Sequence, residues 1–270
     1  METVEEVEQE GRVGLAQIVG RRAIALARAG QEQYSVLVRT LYYVARGKLD
    51  RGALARQMYE IGNRSLFLLT VVMGFIGTIL VLQAGIQTKR VVPDLSMLGA
   101  SYLELLVRDL SASIVALMLA TRVGAGIAAE IGSMVVTEQV DALRMCAADP
   151  IDYLVKPRFL ASIVMTTVLT IWSGGVAIVT GMITADVVFQ VTPRTFWNLS
   201  LVHSSDLLIC LVKCVAYGAA IPVVSAASGL STFGGSEGVG WATTKAVVNS
   251  SLAVIILNFF ISSAGFIAFS

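Results

Sequence analysis

The chain has 270 residues, 56% of them hydrophobic and only 14% charged, with a net charge of +1 and a mean hydropathy of +0.76. A soluble domain carries about 25% charged residues, so this composition argues against a single water-soluble globule. The near-neutral balance gives no sign of a nucleic-acid partner, and none is expected. The charge deficit is concentrated in four runs. Residues 65–88, 159–185, 214–236 and 246–270 hold 24, 27, 23 and 25 residues without a charge. A helix crossing the hydrocarbon core needs about 20 apolar residues. One such run could be a buried core helix, but four in one modest chain point to membrane spans.

In chain order, residues 1–10 form an acidic tail. They carry Glu2, Glu5, Glu6, Glu8 and Glu10 and no base, the reverse of a signal-peptide n-region. Residues 11–64 interleave ten Lys/Arg with Leu, Ile, Val and Tyr. That pattern predicts interfacial, elbow-like amphipathic helices, with arginines reaching the headgroups. The first span is predicted at about 65–86, closed by Lys89, Arg90, Pro93 and Asp94. The second, at about 98–121, carries Glu104, Arg108 and Asp109, yet Leu110 to Thr121 is free of charge. A polar block from Glu130 to Arg158 follows. Further spans are predicted at about 159–185, 206–230 and 247–268.

Five spans put the termini on opposite sides. With the N-terminus cytoplasmic, 15 Lys/Arg face inward and 3 face outward. The positive-inside rule therefore favours N-in, C-out. The reading is an all-α integral membrane protein, with N-terminal interfacial amphipathic helices followed by five transmembrane helices. There is no internal repeat, unlike many secondary transporters. A pathway between two copies is the natural arrangement, which predicts a functional dimer.

Three features carry functional potential. Asp109 is about 16 Å into the second span from its outer end, and Lys213 about 10 Å into the fourth from the same side. Unpaired charges at such depth are costly, so the two are expected to neutralise each other or to face a wet cavity. They can fix helix packing, border a substrate path, or serve an ion-coupled carrier. The second feature is the block EIGSMVVTEQVDALRMCAADPIDYLVKPR. A helix is expected at about 133–147, starting near Ser133 and carrying an apolar stripe of Val135, Val136, Val140 and Leu143. Asp149-Pro150 and Lys156-Pro157 punctuate its end. It is either a docking element for a partner or an ordinary solvated loop helix. The third is the glycine-rich loop FGGSEGVGWATTKAVV, which lacks Gly-Lys-Ser/Thr at phosphate-loop spacing.

No catalytic arrangement stands out. Cys210 and Cys214, four residues apart, are expected to pack rather than to bind metal, Cys146 joins no framework, and His203 reads as a solvated loop residue. The chain is not expected to be an enzyme. If ATP drives it, another chain must supply the hydrolysis.

The stretches LLVRDLSASIVALMLATRVGAGIAAEIGSMVVTEQVDAL, DPIDYLVKPR and GVGWATTKAVVNSSLAV closely resemble the MlaE/YrbE permease family, from about Tyr59 to the C-terminus. These are membrane subunits of ABC lipid transporters that work with MCE-domain proteins. The resemblance implies a permease domain over 65–270 and a dimer with a second copy or a paralogue. It also implies a phospholipid-sized cavity, a cytoplasmic ABC ATPase dimer and an MCE-domain hexamer. ATP and Mg would belong to the ATPase, with no cofactor in this chain, and the setting would be a bacterial inner membrane. It assigns Glu130, Ser133, Thr137, Glu138, Gln139 and Asp141 to ATPase coupling. Arg108, Asp109 and Lys213 match the family's intramembrane polar positions, and Phe75, Gly77, Leu80 and Gln83 its lipid-binding segment. A non-transporting anchor for an MCE complex is the remaining alternative. Two departures stand out. Ser111-Ala112 replaces a Gly-Pro pair, so a straighter second span is expected, and Lys245 replaces an arginine, which retains charge but not bidentate geometry.

Overall fold

In the computed structural model, residues 15–46, 50–91 and 97–269 are described, with side chains described from Gly30 onward. The acidic stretch at 1–10 lies outside the described residues, as do residues 11–14 of the basic segment. The described residues form helices and connecting turns, with no strand among them. In chain order they are α1 (Leu15–Arg46), α2 (Arg51–Val91), α3 (Leu98–Val136), α4 (Gln139–Met145), α5 (Ile151–Phe189), α6 (Pro193–Phe196), α7 (Ser204–Leu230) and α8 (Gly235–Phe269). Helices α2, α3, α5, α7 and α8 are each long and apolar enough to cross a membrane.

The spans run further than their charge-free runs. Helix α2 is continuous from Arg51, through the boundary expected at residue 64. Its charges do not stop it because Arg, Glu and Gln are good helix formers. Glu60 and Arg64 also pair at 2.7 Å one turn apart. Helix α5 begins at Ile151 rather than near 159. Pro157 has no N–H to offer and crowds the preceding turn. The chain accommodates it with a wide i→i+5 turn at Ile151–Val155 and continues. The late glycine-rich stretch, expected as a loop, is helical from Gly235. The turn before it rests on Gly234 and Gly235, with φ of 85° and 78°, where a Cβ would be strained.

Helix α3 is not the straight α-helix that loss of the Gly-Pro pair leads one to expect. It widens to i→i+5 turns at Leu106–Leu110 and again at Ala120–Gly124. The first of these turns contains Arg108 and Asp109. Such bulges re-aim side chains and recur at functional sites.

Helix α2 lies along α5, and α7 is packed by α3, α5 and α8. Two close approaches need glycine. A Cβ on Gly77 would sit 2.6 Å from the Ala177 carbonyl oxygen, and one on Gly218 would sit 2.7 Å from the Ile163 Cα. Small residues at helix contacts are the usual way membrane helices gain packing without a hydrophobic driving force. Around α7, the core joins Val115, Ala116 and Leu119 of α3 to Leu169, Tyr217 and Ile221. A second cluster joins Met73 and Val81 of α2 to Tyr102, Leu103 and Phe196. There the Tyr102 hydroxyl donates to the Ala177 carbonyl at 2.8 Å.

Candidate functional site

Two polar regions stand at different levels of the bundle. The first is inside it. Lys213 of α7 is fully buried, and its ammonium donates to the Asp109 carboxylate of α3. The Asp109 side chain remains 36% exposed. An ion pair of this kind removes most of the cost of an isolated intramembrane charge. The i→i+5 turn places Arg108 beside Asp109 but on a different partner, 3.8 Å from the buried Asp206 at the start of α7. Asp206 also accepts from the His203 backbone N–H at 2.9 Å, which caps α7. One turn beyond Lys213, the Tyr217 hydroxyl donates to Asn258 of α8 at 3.0 Å. The intramembrane set is thus a polar seam running from α3 through α7 to α8.

The second region is the connection from α3 to α5. The helix expected from Ser133 divides here. Ser133 belongs to the last turn of α3, which ends at Val136, and the short helix α4 starts at Gln139. Between them Glu138 takes a left-handed backbone, φ 60°, which breaks the helix without a glycine. Ala147, φ 56°, ends the element in the same way. Val140 is buried and anchors α4, while Thr137, Glu138, Gln139, Asp141 and Met145 are exposed. Asp141 pairs with Arg144 at 2.9 Å. Tyr43 of α1 donates to Asp149 at 2.7 Å, and that bond holds its phenol above the usual tyrosine range. Glu130 pairs at 2.8 Å with Arg158, whose guanidinium is buried and also donates to the Leu154 carbonyl. The root of α4 is therefore tied to α1 and α5, and its tip is open.

The four first-span residues do not share a face. Phe75 and Gln83 are exposed on one stripe of α2, with Ile79 between them. Gly77 is buried against Ala177 and Thr180 of α5, and Leu80 is half-buried against the core around Tyr102.

The profile of the family described as Permease MlaE matches residues 54–264 of the chain. The chain belongs to the MlaE permease family. It is 36% identical over 222 residues to a probable ABC transporter permease of Synechocystis sp., covering 82% of this chain and 84% of the relative. A probable ABC transporter permease of Rickettsia felis is 34% identical over 256 residues, covering 94% and 98%. The chloroplast protein TRIGALACTOSYLDIACYLGLYCEROL 1 of Arabidopsis thaliana is 32% identical over 222 residues, covering 82% of this chain and 63% of the relative.

This MlaE permease is thus an integral membrane subunit of the ABC transporter permease kind. Among its described residues no group of three or more His, Cys, Asp or Glu could hold a metal ion. Several polar residues of the permease were not singled out from its sequence. Asp206, at the start of α7, is buried. Arg158, at the start of α5, is buried where it pairs with Glu130 of α3. Arg122 donates to the buried Ser65 hydroxyl of α2 and, with Arg56, Arg64 and Glu130, lines a cavity of about 430 Å³.

Proposed function

We propose that the chain is the membrane subunit of an ATP-driven lipid transporter. In this reading two copies, or one copy and a paralogue, pass phospholipid between a bacterial inner membrane and an MCE-domain hexamer. A cytoplasmic ABC ATPase dimer supplies the energy, with ATP and Mg bound there. The N-terminus and α4 face the cytoplasm, and α1 lies at the membrane surface with Tyr34, Leu41 and Tyr42 toward lipid.

The observation that carries the reading is α4. It is an exposed, acid-bearing knob, anchored at its root, in an ABC-type permease chain with no nucleotide-binding motif of its own. A docking element must be stiff to transmit displacement. Two left-handed non-glycine residues at its ends, Val140 beneath it and the Glu130–Arg158 pair give that stiffness. Displacement of α4 moves the joined ends of α3 and α5. Helix α3 carries Asp109, the partner of Lys213 on α7, and α5 backs α2, so the exposed Phe75–Gln83 stripe shifts with them. Transport then requires that lipid bind the two arrangements with different affinity. The name of the Arabidopsis relative, after a galactolipid, supports a lipid as cargo.

The test is Glu138→Lys. The carboxylate has no ion-pair partner among the described residues and is exposed, so the chain folds and inserts normally. ATPase co-purification, or its stimulation by the permease, is expected to fall at least about tenfold, the effect of losing a charge-assisted contact of about 1.5 kcal/mol. Unaltered ATP-coupled lipid transfer by the variant would overturn the reading. So would transfer by the wild-type chain in vesicles driven by an ion gradient with no ATPase present.

A further inference from the structure

At the end of the bundle opposite α4, the starts of α3 and α7 and the last turns of α8 border an open pocket of about 310 Å³. It is lined by Glu104, Arg108, His203, Ser205, Asp206, Ile209 and Phe266. Glu104 is half-buried, and its carboxylate has no ion-pair or hydrogen-bond partner among the described residues. It is one helical turn from Arg108, so the two would ordinarily pair at this spacing. They do not. Arg108 belongs to the i→i+5 turn at Leu106–Leu110 and reaches toward Asp206 instead. That contact is long, 3.8 Å, and Asp206 is already engaged by the His203 N–H. The His203 ring is already engaged, its Nδ1 lying 2.9 Å from the Leu201 carbonyl oxygen.

The cavity therefore holds two carboxylates against one guanidinium. A purely anionic ligand would meet Arg108 but also the unpaired Glu104. A purely cationic one would leave the guanidinium loosely satisfied. A ligand carrying a phosphodiester and an ammonium group two carbons apart answers both. We propose that this cavity binds the zwitterionic headgroup of an ammonium-bearing phospholipid. The phosphodiester lies against Arg108 and the Ser205 hydroxyl, the ammonium against Glu104, and the glycerol end against Ile209 and Phe266. This rests on the reading of the chain as a lipid transporter and adds the headgroup class to it. The shared chemistry could also come from a soluble phosphodiester. The apolar wall and the position at the end of three spans favour the lipid.

The test uses the full chain, purified and delipidated in detergent. It is offered equimolar phosphatidylethanolamine and phosphatidylglycerol of matched acyl chains, and retained lipid is read by native mass spectrometry. Wild type should retain phosphatidylethanolamine about three- to fivefold over phosphatidylglycerol, the range expected of a half-buried ion pair. Glu104→Gln should bring that ratio to parity without lowering total lipid, and Glu104→Asp should restore most of it. A wild-type ratio of one, or a preference unchanged in Glu104→Gln, would overturn the headgroup assignment while leaving lipid transport intact. Wild type retaining neither lipid would overturn both. Adding sn-glycero-3-phosphoethanolamine at the lipid concentration should leave the ratio unchanged; if it abolishes retention of phosphatidylethanolamine, the site belongs to a soluble phosphodiester.

Discussion

Helices α7 and α8 are nearly equal in apolarity, yet 50% of the most apolar window of α7 is buried inside the protein and only 11% of that of α8. Helix α7 buries an unbroken run from Ile221 to Gly229, together with Lys213, Tyr217 and Gly218. Helix α8 buries a single stripe, Ala242, Ala246, Ser250 and Val254, each four residues from the next, with Gly265 about three turns further along. Its other faces show Trp241, Leu252, Ile255, Phe259 and Phe260. Hydropathy therefore locates a span but does not say what surrounds it. Residue size and polarity do. Glycine, serine, alanine and a paired lysine mark the helix enclosed by protein, and bulky aromatics mark the one with open faces.

The sharpest way to break this contrast is to unpair α7. Asp109→Asn leaves the Lys213 ammonium fully buried without a counter-charge. Removing one partner of a buried pair typically costs about 3–5 kcal/mol. The partial exposure of Asp109 puts this case toward the lower end of that range. Unfolding in mixed micelles, followed by circular dichroism, should show the loss. The exchanged pair, Asp109→Lys with Lys213→Asp, should recover part of it. Strictly additive losses in the double-mutant cycle would mean that the two groups do not interact.

A smaller effect is expected where α7 touches α5. Gly218→Val places a side chain on a backbone contact with Ile163 and Ser162 that has no flexible atom to move. The helices must separate, at about 1–3 kcal/mol, the usual cost of overpacking. A variant as stable as wild type would show that α7 is less confined than its burial implies.

The same physics explains what could be read from the sequence. The five spans were legible because lipid forbids long charged stretches; depth left Asp109 and Lys213 either to neutralise each other or to face a wet cavity, and in the structure they pair. Helix ends were less legible. Charges at Arg56, Glu60 and Arg64 read as the end of a surface helix, yet they continue α2, because a helix may leave the hydrocarbon without breaking. The connection from α3 to α5 was legible as a polar block bearing a helix, but not its division at Glu138. A left-handed glutamate carries no local signal, since glycine or asparagine is the usual choice. For Phe75, Gly77, Leu80 and Gln83, a linear motif could not say which face α5: Gly77 lies against Ala177 and Thr180, while Phe75 and Gln83 stay exposed.

The least effect is expected on the open face of α8. Phe259 is 67% exposed and lies against its neighbour Phe260 with ring centroids 5.7 Å apart. In a membrane its truncation exchanges one apolar surface for another, since lipid tails are as apolar as the side chain. For an isolated chain, Phe259→Ala should shift stability by less than about 0.5 kcal/mol, as for substitutions away from packed features. The measurement is the same unfolding experiment, run at dilute and at high protein-to-detergent ratio. A loss that appears only at high ratio would mean that a second copy covers this face, with α8 a subunit contact rather than a lipid-facing wall. A loss above about 2 kcal/mol even at high dilution would mean that α8 is packed within one chain, and the contrast with α7 would then fail.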